Sequence, residues 1–398
     1  MTLSLCMIVK NEAQALPRCL KSVKNVVDEI IVLDTGSTDK TPQIAKKLGA
    51  KIYQYEWCND FSAARNQALK YVTGDWVLIL DADETLNPEV ISPLREVLKM
   101  EEYLLVNLLR QEIGAKQSPY SLVSRLFRNH PGIRFDRPYH ALVDDSITEI
   151  IAAEPQWQIG RLPGVAIFHT GYQQTAIAKH NKYERAQTAM EAFLAQHPDE
   201  PYVCSKLGAL YVEIGKLPQG IELLRRGLSA KDAEDQVLYE LHYHLGIAYT
   251  RTDDINKAIS QYNSAIKLLI DPMLKLGAYN NLGNLLKETG NLTGAKAAYE
   301  TAVKLDPNFA TGYFNLGTTL KAMGSLAEAI KAYRRAILLQ PDYAQAYQNL
   351  GVLLLKSGYI KDSKVAFNNA ITLYKQQDPE QAKELFEGLK DMGVAIEN

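Results

Sequence analysis

Two aspartates follow directly after a short apolar run, since residues 76–84 read Trp-Val-Leu-Ile-Leu-Asp-Ala-Asp-Glu. An uncharged run of this length is typical of an interior strand, and open α/β sheets bind ligands at the carboxyl edge of such strands. Because side chains two apart in a strand point the same way, we expect Asp81 and Asp83 to emerge together. Two such carboxylates suit Mg²⁺ or Mn²⁺, which could hold a diphosphate. The same triplet also arises as a helix cap followed by a solvated turn.

Other polar residues stand where the first strands and helices of the chain should end. Asn11 and Glu12 follow the first strand, and Asp34 ends the second, where a carboxylate can accept hydrogen bonds from a nucleotide base or ribose. Arg65, on the helix after Asp60, could bind a phosphate in bidentate fashion or form a structural salt bridge. His169 follows the apolar strand 165–168 and could complete a mixed Asp/His metal site, although a lone histidine is often structural.

The N-terminal pattern predicts an α/β domain that presents these residues. Up to about residue 170, short apolar strands alternate with helical stretches, which indicates βαβ units on a largely parallel sheet. The segment 103–139 is strand-rich without clear crossover helices. The predicted strands are Leu3–Val9, Glu29–Leu33, Lys51–Tyr55 and Trp76–Leu80.

A different regularity begins near residue 200. Leu-Gly pairs recur at separations of 38, 37, 34 and 34 residues, and small residues follow each glycine at offsets of twelve and nineteen. A helix-turn-helix unit of 34 residues resembles the tetratricopeptide repeat. We expect an all-α solenoid of five units over 200–376, a connecting helix in 173–199 and a capping helix in 377–398. The glycines of the five pairs are Gly208, Gly246, Gly283, Gly317 and Gly351.

Composition narrows the function classes. The chain has 398 residues, of which 46% are hydrophobic and 23% charged, with a formal net charge of −2, so we expect no general nucleic-acid binder. Four scattered cysteines without metal-ligand spacing predict reduced packing residues and a cytoplasmic protein. Neither a signal peptide nor an integral membrane segment is expected.

Four N-terminal motifs in order resemble a family 2 glycosyltransferase with a GT-A fold (a nucleotide-diphospho-sugar transferase, Rossmann-like), in the subgroup fused to tetratricopeptide repeats. The resemblance covers roughly residues 1–185, with a domain expected at 1–172. It implies that Asn11, Glu12 and Asp34 flank a uridine-type pocket, that Arg65 contacts the diphosphate, and that His169 joins Asp81 and Asp83 at the metal. The motifs are Met7-Ile8-Val9-Lys10-Asn11-Glu12; Asp34-Thr35-Gly36-Ser37-Thr38-Asp39; Asp60-Phe61-Ser62-Ala63-Ala64-Arg65-Asn66; and the Asp-x-Asp motif Asp81-Ala82-Asp83-Glu84.

The implied reaction is a metal-dependent, inverting transfer of a sugar from a nucleotide diphosphate, with UDP favoured by analogy. Such a displacement needs a general base, normally a carboxylate. The resemblance implies a His-Glu pair at the place where this chain has His140 and Ala141. Asp144 or Asp145 could substitute, His140 could serve, the acceptor could need little help, or activity could be lost.

The repeats predict a protein partner. A concave solenoid suits an extended peptide, so we expect the repeats to present a protein, peptide or glycan acceptor, or to recruit a partner in a glycan-assembly complex. The alternative function is a catalytically inactive glycosyltransferase-like domain with a repeat scaffold for protein interaction. Paired carboxylates argue against that alternative, because buried like charges cost free energy unless a cation offsets them.

Overall fold

The computed structural model describes residues 1–115, 119–139, 141–170, 176–231 and 233–394, with backbone alone described at 176–182 and 185. The chain divides into two compact units, Met1–Val237 and Leu238–Asn398. The first unit contains a mixed sheet with helices and the first helical pair of the repeats. The second unit is helical.

The first unit alternates strands and helices up to residue 79, as the sequence predicts, and a second short strand then precedes the helix that ends at residue 97. Two of its helices are capped by a carboxylate: Asp60 accepts a hydrogen bond from the backbone N of Ala63 at 3.0 Å, and Glu200 from that of Val203 at 2.6 Å. The strands are β1 (Leu3–Val9), β2 (Glu29–Asp34), β3 (Lys51–Gln54), β4 (Trp76–Ile79), β5 (Glu84–Leu86), β6 (Tyr103–Glu112), β7 (Tyr120–Arg128) and β8 (Gln158–His169). The helices are α1 (Leu16–Val23), α2 (Thr41–Lys47), α3 (Phe61–Leu69), α4 (Ile91–Val97), α5 (Asp144–Ala153), α6 (Ala176–Gln196), α7 (Pro201–Glu213) and α8 (Leu217–Leu228), with a short 3₁₀ helix at Pro88–Val90.

The strands of the described residues form one sheet in the order β3-β2-β1-β4-β7-β6-β8-β5. Strands β1 to β4 are mutually parallel, whereas β7 runs antiparallel to both β4 and β6. Helices cover both faces. Residues of α1, α2 and α4 join the core on one face, and residues of α3 and α5 join the core on the other. The predicted α/β class is confirmed, and the strand-rich segment after β4 is the antiparallel part.

One extra residue in β7 changes which side chains share a face. Val106 pairs with Leu126 and Leu108 pairs with Val123, so Ser124 and Arg125 lie opposite the single residue between them on β6. This is a β-bulge, a device that re-aims side chains and is common beside active sites. The side chains of Ser124 and Arg125 can therefore both contact residues that follow β4 in the chain.

The C-terminal helices form pairs at the predicted spacing. The turn glycines Gly215, Gly290, Gly324 and Gly358 have φ between 79° and 84°, and Asp253 takes the corresponding place with φ 59°. These turn residues each stand seven positions after the glycine of a Leu-Gly pair, so the same period marks the turns as well as the helices. The helices are α9 (Asp235–Arg251), α10 (Ile255–Lys267), α11 (Leu276–Glu288), α12 (Leu292–Leu305), α13 (Ala310–Ala322), α14 (Leu326–Leu339), α15 (Ala344–Lys356), α16 (Ile360–Gln377) and α17 (Pro379–Asp391), with a 3₁₀ helix at Pro272–Lys275.

Recurrent asparagines of the repeats hold neighbouring helices together. Asn315 donates to the side-chain oxygen of Asn280 at 2.9 Å, and Asn281 lies 3.3 Å from the hydroxyl of Tyr262. All three asparagines are buried. These three asparagines therefore contribute to the packing of neighbouring helices.

No helix within the described ranges is long and apolar enough to cross a membrane.

Candidate active site

The carboxyl ends of β1 and β2 bring three predicted residues together. Asp34 is the last residue of β2 and only 2% exposed. Its Oδ2 accepts a hydrogen bond from the backbone N of Ser37 at 3.1 Å, whereas Oδ1 is buried without a partner among the described residues. A buried acceptor left unpaired costs about 1–3 kcal/mol, so this oxygen is suited to a ligand donor.

Asn11 and Glu12 tie the loop after β1 to the loop after β2. Asn11 has φ 57°, donates its backbone N to the hydroxyl of Ser37 at 2.9 Å, and accepts from the backbone N of Thr38 at 2.8 Å. The backbone N of Glu12 donates to the hydroxyl of Thr41 at 2.8 Å. These contacts place Asn11, Glu12 and Asp34 at one edge of the sheet.

The expectation that Asp81 and Asp83 extend a strand and point the same way is wrong. Strand β4 ends at Ile79, and the two aspartates lie in the turn before β5. The turn is closed at both ends, since the backbone N of Asp81 donates to Glu84 Oε2 at 2.8 Å and the backbone N of Glu84 donates to the Asp81 carbonyl at 3.0 Å. Strand periodicity does not apply in a turn, so the carboxylates have separate partners.

Asp81 lies between two guanidinium groups. Arg65 Nη2 is 2.8 Å from its Oδ1 and Arg125 Nη2 is 2.9 Å from its Oδ2. Burial would raise the pKa of Asp81, but Arg125 and Arg65 outweigh burial and hold that pKa well below its usual range. Asp81 is therefore an anion whose charge is already balanced.

Glu84 belongs to the same ionic network as Asp81. It is fully buried and accepts from Arg125 Nη1 at 3.1 Å and from Arg110 Nη1 at 2.9 Å. Burial lowers the pKa of Arg125, yet Asp81 and Glu84 raise it by more. A buried carboxylate is tolerated because two guanidinium groups bind it.

Asp83 forms a second group with His169. His169 Nε2 is 3.1 Å from Asp83 Oδ2, and His169 Nδ1 is 2.5 Å from Glu112 Oε2. Three neighbouring strands provide the alignment, because His169 pairs in register with Glu84 of β5 and Glu112 of β6. Burial would lower the pKa of His169, but Asp83 and Glu112 raise it to about 9. Burial would raise the pKa of Asp83 and of Glu112. The contacts with His169 act in the other direction, and the pKa of both carboxyls is lowered.

No group of three or more His, Cys, Asp or Glu side chains within the described part of the chain is arranged to hold a metal ion. Asp83 and His169 nevertheless form a pair of donors about 3 Å apart. Two bonds of about 2.1 Å at a right angle place their donor atoms about 3 Å apart, so one octahedral cation could accept both. Glu112 bonded to the far nitrogen of the ring is the arrangement typical of metal-bound histidine. The pair fits a cation whose other ligands come from water and substrate.

Sequence reasoning missed Arg110, Glu112 and Arg125. The sequence carries little signal for them, because Arg110 and Glu112 lie in the polar end of β6 and Arg125 lies in β7 beside serines and a second arginine. What the sequence could not provide is the register and the bulge that aim them at Asp81, Glu84 and His169.

The candidate bases differ in their surroundings. Asp144 opens α5, and its Oδ1 accepts from Ser124 Oγ at 2.7 Å, while its Oδ2 is buried and unpaired within the described residues. Burial raises the pKa of Asp144. Asp145 is 51% exposed and ion-paired with Arg137 at 3.0 Å. His140 lies outside the described residues.

The sequence matches the family model "Glycosyl transferase family 2" over residues 4–153. Tetratricopeptide repeat models match residues 178–235, 239–268, 283–324, 319–358 and 344–377.

The curated relatives include one named for its repeats and others named as glycosyltransferases. A TPR repeat-containing protein of Synechococcus elongatus is 48% identical over 304 residues, which are 76% of this chain and 75% of that protein. The glycosyltransferase SunS of Bacillus subtilis is 27% identical over 57% of this chain, and the match spans about half (53%) of its length. An uncharacterized glycosyltransferase of Rickettsia bellii is 30% identical over 46% of this chain and 66% of its own length.

Solved structures similar to part of the chain include YrrB, described as a TPR protein, which aligns with 50% of this chain and 98% of its own at 18% identity and a TM-score of 0.42. The crystal structure of MamA aligns with 43% of this chain and 96% of its own, at 24% identity and a TM-score of 0.39.

Proposed function

This chain belongs to glycosyl transferase family 2 and carries C-terminal tetratricopeptide repeats, and from that premise we propose that it transfers a hexosyl group from a nucleotide diphosphate, with UDP the nucleotide we expect. The transfer would be metal-dependent and would invert the anomeric carbon. The acceptor's nucleophile attacks that carbon, the bond to the diphosphate oxygen breaks, and the acceptor's proton passes to a base.

We assign the donor pocket to the carboxyl edge of β1, β2 and β4. Asp34 would use its unpaired Oδ1 to accept from the base or ribose, with Asn11 and Glu12 beside it. Arg65 has a buried Nη1 without a partner among the described residues, and a phosphate oxygen would satisfy it. These unsatisfied atoms are the observation that carries the proposal. Each buried donor or acceptor without a partner costs free energy, and a bound ligand that supplies the missing hydrogen-bond partner would remove that cost.

Asp83 and His169 would hold Mn²⁺ or Mg²⁺, with Asp81 beside them. When bound, the cation would stabilise the negative charge of the departing diphosphate. Both carboxylate oxygens of Asp81 already bind Arg65 and Arg125. The role that we propose for Asp81 beside the cation is therefore to hold these two guanidinium groups in place and to balance their charge.

Asp144 is the general base that we propose. A base must accept a proton near neutral pH, and burial raises the pKa of Asp144 toward that range. Ser124 fixes one oxygen and leaves the other unpaired. Asp145 is less suited because it is exposed and paired with Arg137, and His140 stays a further prediction.

The acceptor that we propose is a protein or peptide presented by the repeats. A solenoid offers an extended binding surface, and the repeats follow the transferase domain in the chain. A glycan acceptor or a protein partner recruited through the repeats are the other outcomes that an acceptor screen would distinguish. We also propose a cytoplasmic location, because Cys6, Cys19 and Cys204 are buried free thiols.

Calorimetric titration of UDP with and without Mn²⁺ tests the donor site. Asp83→Asn keeps the size of the side chain and removes its charge. We expect Mn²⁺-dependent binding in the wild type and a loss of at least about tenfold in the variant, the usual cost of disturbing a metal ligand or its support.

The matched control is Asp362→Asn, which changes an exposed aspartate in the first turn of α16. Its UDP affinity should equal that of the wild type. Equal binding with and without Mn²⁺ would contradict the metal assignment. Failure of the wild type to bind UDP would contradict the donor site and favour the inactive scaffold.

A further inference from the structure

A short loop precedes the proposed base. Asp136 and Leu142 form an isolated antiparallel bridge, with the Asp136 backbone N donating to the Leu142 carbonyl at 2.8 Å and the Leu142 backbone N donating back at 3.2 Å. The bridge closes a short loop, which we call the 137–141 loop and of which residues 137–139 and 141 are described. Two residues after the bridge, Asp144 begins α5. The loop therefore lies directly before α5 in the chain.

The loop is held from the side of the donor pocket. The backbone N of Phe61, the first residue of α3, donates to the Pro138 carbonyl at 3.0 Å. Arg65 lies four residues further along the same helix. The Phe61 ring also contacts the ring of Tyr139 edge-on, with 5.5 Å between centroids.

The loop also contacts the start of α7, the first helix of the first helical pair of the repeats. Arg137 Nη2 is 2.8 Å from Glu200 Oε1 and 3.0 Å from Asp145 Oδ2. The Arg137 side chain is only 10% exposed, and its guanidinium carbon lies 5.2 Å from the centre of the Tyr202 ring. One arginine thus joins α5 to the start of α7.

Both ends of this ion pair are constrained. Arg137 has φ 72°, a left-handed conformation that a residue other than glycine adopts only when its surroundings favour it. Glu200 caps α7 by accepting from the backbone N of Val203 with its other oxygen, Oε2. A carboxylate that caps a helix and binds a buried guanidinium has little freedom to move.

We propose that Arg137 and Glu200 are positioning residues for the acceptor side of the transfer, and that α7 is therefore part of the catalytic unit. The proposal rests on the proposed function, because its effect on turnover passes through Asp144. The proposal predicts that Glu200, a residue of the repeats, affects the rate of transfer although it does not contact the donor.

The test uses the full chain with Arg137→Gln, Glu200→Gln and the double variant. Glutamine at 200 retains a carbonyl oxygen that can cap α7, so Glu200→Gln removes the ion pair with little effect on the helix. The control is Lys99→Gln, which removes an exposed pair with Glu96 elsewhere in the first unit. Thermal unfolding shows whether each variant is folded.

Two measurements are made on each protein. Amide hydrogen exchange at Asp136 and Leu142 measures how stably the bridge that closes the loop is formed. Release of UDP from a panel of UDP-glucose, UDP-galactose and UDP-N-acetylglucosamine measures turnover. We expect each single variant to raise the exchange rate of these amides and to lower kcat by about tenfold or more, as small misplacements do. UDP affinity should stay within about twofold, and the double variant should be no slower than the slower single variant, because both changes remove one interaction.

Unchanged exchange in both single variants, or a double variant whose loss is the product of the single losses, would overturn the proposal. A fall in UDP affinity equal to the fall in kcat would also overturn it, because it would place the pair on the donor side. A wild type that binds no nucleotide contradicts the proposed function instead, and the exchange measurement still decides whether the pair holds the loop.

Discussion

At the scale of single residues, His169 gives the site a pH-dependent stability in the absence of metal. Its pKa is about 9 because Asp83 and Glu112 outweigh burial, compared with 6.5 for an ordinary histidine. A group whose pKa is raised by folding stabilises the protein fully below the unfolded pKa. That contribution is lost as pH rises from about 6.5 through about 9.

We expect His169→Gln to lower the free energy of unfolding by an amount on the order of 2 kcal/mol near pH 6 and by much less near pH 10. The side chain is 16% exposed, so solvent screening removes only part of the effect. Denaturant titrations in EDTA at the two pH values measure it. Exposed His197→Gln is the control and should show no such difference; an equal loss at both pH values for His169→Gln would contradict the prediction.

Which site residues could be placed from the sequence depended on where strands end. Asp34 and Asn11 could be placed at one edge because parallel strands share their carboxyl edge, and strand ends are marked by the change from apolar to polar residues. Glu112 and Arg125 could not be placed, because they lie on antiparallel strands whose register includes a bulge. A one-residue slip reverses which face a side chain occupies.

At the scale of helices, each repeat needs glycine at the Leu-Gly position because a large side chain from the second helix packs against it. A Cβ added at Gly246 would lie 2.6 Å from the Tyr262 ring. Tyr262 is 1% exposed and contacts Tyr243 and Asn281, so its ring has little room to shift. Gly246→Ala therefore combines overpacking with the better helix propensity of alanine.

We expect the overpacking to exceed the gain, with Gly246→Ala destabilising the repeats by roughly 1–2 kcal/mol. The matched control is Gly388→Ala in α17, where an added Cβ meets no atom within 4 Å. That variant should be stabilised by up to about 1 kcal/mol because alanine favours the helix. Thermal unfolding monitored by circular dichroism compares them, and an equal shift in the two variants would contradict the packing argument.

The repeats were the easiest part of the chain to predict, and the turn after β4 was among the hardest. Offsets of small residues in the repeats report contacts between adjacent helices, which are local in sequence, and Ala295, Ala329 and Ala336 are fully buried as those offsets require. The turn at Asp81 is fixed by Glu84, Arg65 and Arg125, of which the last is 44 residues away. Periodicity does not contain that information.

At the scale of the whole molecule, the domain boundary that we predict from the sequence differs from the boundary between the two compact units. The sequence places the end of the transferase domain near residue 172, whereas the first unit extends to Val237. The reason is physical contact. Val203, Cys204 and Leu207 of α7 form one apolar cluster with Met190 and Leu194 of α6, and Tyr139 packs against it.

A truncation series should therefore behave differently at two cut points. Residues 1–237 retain α7, α8 and the ion pair between Arg137 and Glu200, so we expect this fragment to fold and to bind UDP with Mn²⁺ as the full chain does. Residues 1–199 lose Glu200 and uncover the apolar face of α6, so we expect a lower unfolding temperature and slower turnover. Circular dichroism and calorimetric titration of UDP on the two fragments and the full chain make the comparison.

The same series separates two roles of the repeats, because only the longer fragment keeps the proposed catalytic unit intact. If residues 238–398 present the acceptor, the 1–237 fragment should hydrolyse a UDP-sugar at the rate of the full chain but lose transfer to a protein acceptor identified with the full chain. Unchanged transfer by 1–237 would show that the second unit does not present the acceptor. Equal stability and turnover of 1–199 and 1–237 would instead contradict the assignment of α7 to the catalytic unit, since the shorter fragment lacks the carboxylate that binds Arg137.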